Sequence, residues 1–266
     1  MFGNHIVGIR GGGDIATGIA HRLYKSGFKI IIFEMNKPSL IRRKVAFAQA
    51  IYENEVDVEG VKAKLVNNIE EGIKEQEEGL VPVIIDPEGK NLYNPKITII
   101  VDAILAKKNL GTNKDMAHIV IGVGPGFTAG KDVHAVVESN RGHNLGRVIY
   151  NGSPEPNTGI PGNIKGFTEK RVIRANQYGK LSVIKDIGSI VEKDEVLATI
   201  DGVEVKAKID GVIRGMIQNG FEVVSGMKIG DIDPRGIKNN CITISDKART
   251  IGGGVLEGIC HLLNEK

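Results

Sequence analysis

The apolar positions change period along the chain, and the changes mark out its elements. Residues 5 to 9 form a short β-branched run, three glycines follow at 11 to 13, and Ile15, Ile19 and Leu23 then recur at helical spacing as far as Gly27. Residues 28 to 33 are a second continuous apolar run that ends at Glu34, so the first thirty-odd residues read as strand, turn, helix and strand. Residues 38 to 53 and the polar stretch 69 to 78 read as helices. Residues 81 to 85, 97 to 101, 119 to 123 and 135 to 137 are strand-sized apolar runs of the kind a buried parallel sheet requires. The expectation is an α/β fold whose first 165 residues make a Rossmann-like nucleotide-binding domain with a parallel sheet.

Residues 151 to 166 carry Pro154, Pro156 and Pro161 among glycines and read as a connector. Beyond it a quasi-repeat runs at an offset of 32: Gly179 with Gly211, Gly188 with Gly220, Val191 with Val223, Leu197 with Ile229, Ile200 with Ile232, Asp201 with Asp233. Two copies too small to hold a core alone bury one by packing together. The pattern resembles the lipoyl/biotinyl carrier fold, which predicts a small β barrel-sandwich module over residues 166 to 236. The Asp201-Gly202 turn carries no lysine, so a structural or docking role is expected rather than a covalent carrier. Residues 237 to 266 close the chain with a C-terminal helix expected to pack on the N-terminal domain. Gly252, Gly253 and Gly254 interrupt it, costing about 2 to 3 kcal/mol in helix propensity, so either the helix breaks there or another backbone or a ligand comes unusually close.

Composition narrows the function classes. A net charge of +3 with no long single-sign block gives no reason to expect nucleic acid, and no apolar run approaches the roughly 20 residues of a membrane span. With two cysteines, no leader-like opening and no close metal-ligand spacing among six histidines, the expectation is a cytoplasmic protein without a metal site.

The chemistry is concentrated in loops. Gly11, Gly13 and Ala16 give G-x-G-x-x-A between a strand and a helix, with Gly12, Asp14 and Ile15 in the same turn. Glu34 stands 23 residues after Gly11, near the spacing at which an acid receives a ribose diol. Asp14 stands where it can compete with a phosphate for the helix start. Lys37, Arg42, Arg43 and Lys44 read equally as receivers of a 2′-phosphate or as a solvated face. A second loop, Gly122, Gly124 and Gly126 with Thr128, fails the Walker A spacing but follows a strand. Arg141 and His143 are weak catalytic candidates, as anion anchor and proton carrier.

The blocks RGGGDIATGIAHRL, GVGPGFTAGKDVHAVVESNRGHNLGRVIYNG, KIGDIDPRG and SDKARTIGGGVLEGI resemble accessory proteins of selenium-dependent molybdenum hydroxylases, the YqeB family. The resemblance implies a maturation factor akin to the Rossmann-containing factors of xanthine and carbon monoxide dehydrogenases. It also implies a nucleotide or dinucleotide cofactor, either NAD or a molybdopterin dinucleotide, and as partners a molybdenum hydroxylase apo-enzyme or other maturation proteins. A homo-oligomer is open. The rival expectations are an NAD-linked oxidoreductase and a non-catalytic scaffold.

Overall fold

The computed structural model describes residues 5 to 265; the first four residues, part of the opening on which the leader reading rests, lie outside the described residues. The chain divides into two compact units, one of residues 1–38, 46–157 and 244–266, the other of residues 39–45 and 158–243.

In the first unit β1 (Ile6–Arg10), α1 (Asp14–Lys25) and β2 (Lys29–Glu34) form the opening crossover. They are followed by α2 (Ala50–Glu53), β3 (Glu55–Val58), β4 (Val61–Val66), α3 (Ile69–Glu77), β5 (Val81–Ile85), β6 (Ile97–Asp102), β7 (Ile119–Val123), β8 (Ala135–Val137), β9 (Val148–Ile149) and, from the far end of the chain, α4 (Asp246–Asn264). Among the described residues nine strands make one sheet in the order β3-β4-β5-β2-β1-β6-β7-β8-β9. Both faces of its central strands are buried. Gly8, Ile31, Phe33, Ile97 and Val120 face a layer that includes Ile69 of α3 and Phe127, while α1 and α4 cover the opposite face.

This architecture corrects the expected Rossmann-like parallel sheet. The sheet is mixed: β3 pairs with β4 and β8 with β9 in antiparallel fashion, closing both edges with short strands. No α-helix joins β6 to β7 or β7 to β8, so the alternating βαβ order stops after β5, and the helix covering that half, α4, arrives from more than a hundred residues later in sequence. Hydrophobic runs reveal strands but not their direction, because a buried strand looks the same to its neighbours either way.

The predicted helix over residues 38 to 53 is also corrected. Only α2 is α-helical there, and residues 39 to 45 leave the first unit for the second. Leu40, Arg42 and Val45 to Ala50 are buried, and a segment covered on nearly every side carries no helical stripe to read. α4 runs through Gly252, Gly253 and Gly254 without a break. A Cβ at Gly252 would stand 2.9 Å from the Gly18 carbonyl oxygen of α1, and one at Gly254 would meet the carbonyl oxygen of Gly146. The glycines let two backbones press against one helix.

The second unit contains β10 (Val172–Arg174), β11 (Gly179–Val183), β12 (Ile190–Val191), β13 (Val196–Ile200), β14 (Val203–Lys206), β15 (Gly211–Met216), β16 (Glu222–Val223) and β17 (Lys228–Asp233). They form two four-stranded antiparallel sheets, β10-β17-β15-β12 and β14-β13-β11-β16. The quasi-repeat records a strand exchange: β12 of the first copy joins the sheet of the second, and β16 of the second joins that of the first. In both copies the opening glycine lies against that copy's aspartate, Gly179 on Asp201 and Gly211 on Asp233. The lipoyl/biotinyl-like barrel-sandwich assignment is corrected on what else the unit holds. β10 and residues 39 to 45, neither part of the repeat, complete it, with the Ile41 carbonyl accepting from the Met216 amide. A repeat shows which segments pair, not which named fold they build.

Residues 42 to 44 settle the basic run. Arg42 donates to the carbonyls of Asn240 and Thr243, Arg43 to that of Met216 and to Asp186, and Lys44 to that of Ile187. Arg42 and Arg43 are thus engaged within their own unit, whereas Lys37 and Lys44 stand exposed.

Candidate functional site

The order of the sheet reverses at β1: the chain passes from β1 to β2 on one side and returns on the other as β6. Ligands of open α/β sheets bind outside the carboxyl ends at such a point. Four segments meet there. Gly11, at φ +97, makes the turn out of β1, its amide donating to the Phe33 carbonyl at 2.8 Å, and its Cα faces the Ala103 and Ile104 backbone so closely that a Cβ would stand 3.1 to 3.2 Å away. Gly12 donates its N–H to Glu34 Oε2 at 2.9 Å, and a Cβ there would strike Ala48. Gly13 caps α1 in an extended conformation, with no atom within 4 Å of where a Cβ would stand. Asp14 and the half-buried Ile15 open the helix, and buried Ala16 lets it pack closely.

Glu34 is held twice, since Oε1 accepts the Met35 amide at 2.8 Å while Oε2 accepts that of Gly12. A carboxylate oxygen has two lone pairs, so each keeps one for a further donor.

The third segment follows β6. Asp102, buried, receives Arg10 at 3.3 Å, Thr112 Oγ1 at 2.6 Å and the Ile104 amide at 3.2 Å, and Arg10 also donates to the Leu110 carbonyl. This network ties down residues 103 to 112, in which Leu105 and Lys107 hold left-handed backbone at φ +59 and +64. Such strain persists only where the surroundings enforce it.

The fourth segment is the start of α4. α4 runs alongside α1 in the same direction, with Gly18 against Ala248 and Gly252 against Arg22, so both helices begin at the same edge. Ser245 caps α4 through the Ala248 amide, and Asp246 takes a two-pronged ion pair from Arg141 at 2.7 and 3.0 Å. Lys247, between them, is half-buried and makes no hydrogen bond or ion pair among the described residues. Burial lowers its pKa, with Arg141 and Lys107 adding to the effect and Asp14 and Glu138 opposing it.

The other sequence candidates are placed elsewhere or are already engaged. A Cβ at Gly122 would stand 2.5 Å from Phe127, one at Gly124 would meet Ser139 Oγ, and one at Gly126 would stand 2.7 Å from the Lys108 backbone. Thr128 bonds Asp132 and Ser153. That loop is packed shut. Arg141 is spent on Asp246, and His143 stands exposed, so the two do not converge on a common point. Beside them lies an open cleft of about 460 Å3 lined by Glu138, Asn144, Arg147, Tyr150, Ser153 and Glu155. Glu138 is its strut, receiving the amides of Asn140 and Glu155.

Sequence reasoning missed Lys247 and Asp102. A signal for the first was present: a lysine in the first turn of a helix sits against the positive end of the helix dipole, and SDKAR places one there. Asp102 gives no such signal, because its partners Arg10 and Thr112 come from other segments. No helix of the described residues is long and apolar enough to cross a membrane, and no group of three His, Cys, Asp or Glu among them is placed to hold a metal ion.

No family model matches the chain. It is 52% identical over 263 residues to "Uncharacterized protein YqeB" of Escherichia coli (strain K12), covering 99% of this chain and 49% of that protein, so it spans about half the length of the relative. Among solved structures it matches an aspartoacylase family protein of Mesorhizobium loti at TM-score 0.27 and 10% identity, over 86% of this chain and 85% of that one. It also matches a succinylglutamate desuccinylase of Silicibacter at TM-score 0.26 and 10% identity, over 87% and 85%. Likeness at that level carries neither fold nor activity to this chain. These findings correct the expectation drawn from the resemblance: no family model matches, and the name of the relative at 52% identity gives no activity, so nothing in the comparisons supports a maturation role. Membership among maturation factors of selenium-dependent molybdenum hydroxylases, with the function that went with it, is therefore withdrawn.

Proposed function

We propose that the first unit binds a nucleotide or dinucleotide at the carboxyl edge between β1 and β6, with phosphate at Gly13 and the α1 start and with a ribose diol at Glu34. One observation carries the reading: the space over Gly13 is empty while the neighbouring Glu34 carboxylate is pinned by the Gly12 and Met35 amides with a lone pair left on each oxygen. Backbone N–H groups at a helix start attract an anion, and a fixed carboxylate accepts two ribose hydroxyls. The same carboxylate repels a 2′-phosphate, so NAD and ADP-ribose are favoured over NADP. Two free thiols, Cys241 and Cys260, suit a reducing compartment, and a cytoplasmic location belongs to the same proposal.

Thermal unfolding with NAD, ADP-ribose, NADP and ATP tests it. A ligand at 100 times its Kd stabilises by about 2.7 kcal/mol. NAD and ADP-ribose should raise the midpoint, NADP should raise it less, and Gly13→Asp should abolish all three shifts while remaining folded. No shift with any of them at millimolar concentration overturns the proposal.

A further inference from the structure

The first unit also holds a cleft that the nucleotide reading does not use. β8 and β9 run antiparallel, Val137 beside Val148, so residues 138 to 147 form the loop between them, and residues 150 to 155 lead out of β9. Glu138 staples these two segments together. Only 2% exposed, it accepts the Asn140 amide at 2.6 Å on one carboxylate oxygen and the Glu155 amide at 2.7 Å on the other. Glu155 is fixed in turn, with Oε2 accepting from Asn140 Nδ2 at 2.6 Å and Oε1 from Asn144 Nδ2 at 3.1 Å. The walls of the 460 Å3 cleft that both segments line are therefore set before anything enters it. Clefts for small molecules run from about 300 to 1,000 Å3, and this one suits a single small ligand.

Exposed Arg147 lines the same cleft, and its guanidinium makes no hydrogen bond or ion pair among the described residues, with either glutamate or with any other group. Two carboxylates and a guanidinium thus share the cleft without neutralising one another. A simple anion entering it meets the glutamates and a simple cation meets the arginine, whereas a molecule that carries both charges satisfies both. Each Glu155 oxygen has accepted one hydrogen and keeps a lone pair for an ammonium, and a free guanidinium offers a carboxylate two parallel N–H groups. Because two asparagines already hold Glu155, little rotamer freedom is lost there on binding. Tyr150, its ring centroid 4.4 Å from that of His261, and Pro154 present carbon beside these charges. We propose that this cleft binds a free α-amino acid, with its carboxylate on Arg147, its ammonium on Glu155 and its side chain against Tyr150 and Pro154. The site goes beyond the nucleotide reading and stands without it.

Titration calorimetry with each of the common amino acids is the test, and at least one should bind with a Kd of about 1 mM or tighter. The methyl ester of that amino acid lacks the negative charge and its N-acetyl derivative lacks the positive one, and each should bind about 10-fold more weakly or worse. Arg147→Gln should weaken the amino acid by about the same factor and leave the ester unchanged, while Glu155→Gln should weaken the amino acid and leave the N-acetyl derivative unchanged. Arg147→Gln removes no hydrogen bond within the described residues and should keep the unfolding midpoint, so it and the two derivatives decide the matter if Glu155→Gln does not fold. No binding of any amino acid at about 10 mM overturns the inference, as does binding that the ester matches or that Arg147→Gln leaves unmoved. A midpoint raised by NAD without amino-acid binding sinks this inference and spares the nucleotide site; amino-acid binding without a nucleotide effect does the opposite.

Discussion

The chain contains the tripeptide Gly-Gly-Gly twice, at 11 to 13 and at 252 to 254, and the structure uses the two in opposite ways. The first is a turn whose last glycine faces empty space at the head of α1. The second lies inside α4, where its outer glycines are pressed by the Gly18 and Gly146 carbonyls and the middle one faces nothing within 4 Å. Missing side chains therefore mean two things in one molecule: room kept for an incoming group, and room already taken by main chain.

The comparison breaks most severely at Gly254. Alanine there would drive its methyl into the Gly146 carbonyl and to 2.9 Å from Val137 Cγ1, and should cost about 1 to 3 kcal/mol or more by denaturant unfolding. Gly12→Ala should fall at or below that range, since its methyl would meet Ala48 Cβ at 2.7 Å. Gly13→Ala has free space and should change stability by less than about 1 kcal/mol. Calorimetric titration with NAD should nevertheless show binding weakened about 10-fold, about 1.4 kcal/mol, because the methyl takes the ligand's place. Gly253→Ala should do the reverse, stabilising by up to about 1 kcal/mol through helix propensity and leaving binding unchanged.

The smallest effect concerns the polar tie that holds the start of α4, rather than its glycines. Glu59 accepts Arg249 at 2.7 Å on both oxygens and the Ile244 amide at 2.7 Å. Burial pushes its pKa up, but these hydrogen bonds outweigh it and the net shift is downward. A carboxyl lowered by folding stabilises above its unfolded value and loses that contribution as pH falls through the folded one. Glu59→Gln should therefore cost under about 1 kcal/mol at pH 7, and the difference from the unmodified protein should shrink below about pH 4.5. Thermal melts of the two proteins across that range check it.

Much of the local structure could be read in advance because it is written in short-range patterns. The strand, turn and helix around Gly11 to Gly13, the runs that became β5, β7 and β8, and the pairing of Gly179 with Gly211 all depend on residues close in sequence or equally spaced. The candidate site was legible to the same depth. Gly13 and Glu34 were visible, whereas the loop at Gly122 to Thr128 resembled it in composition and is filled by Phe127, Ser139 and Lys108.

The amino-acid sequence alone determined where the backbone turns, where apolar faces must be covered and which glycines carry no side chain, since period and propensity act within a few residues. Tertiary structure decided the direction of the edge strands, the transfer of residues 39 to 45 to the second unit, and which Gly-Gly-Gly stays open. It also decided the charged surroundings of Lys247. The placing of residues 39 to 45 and of the second glycine run depends on neighbours more than a hundred residues away, brought close only when the apolar surface was buried, whereas the edge strands turn back on their sequence neighbours.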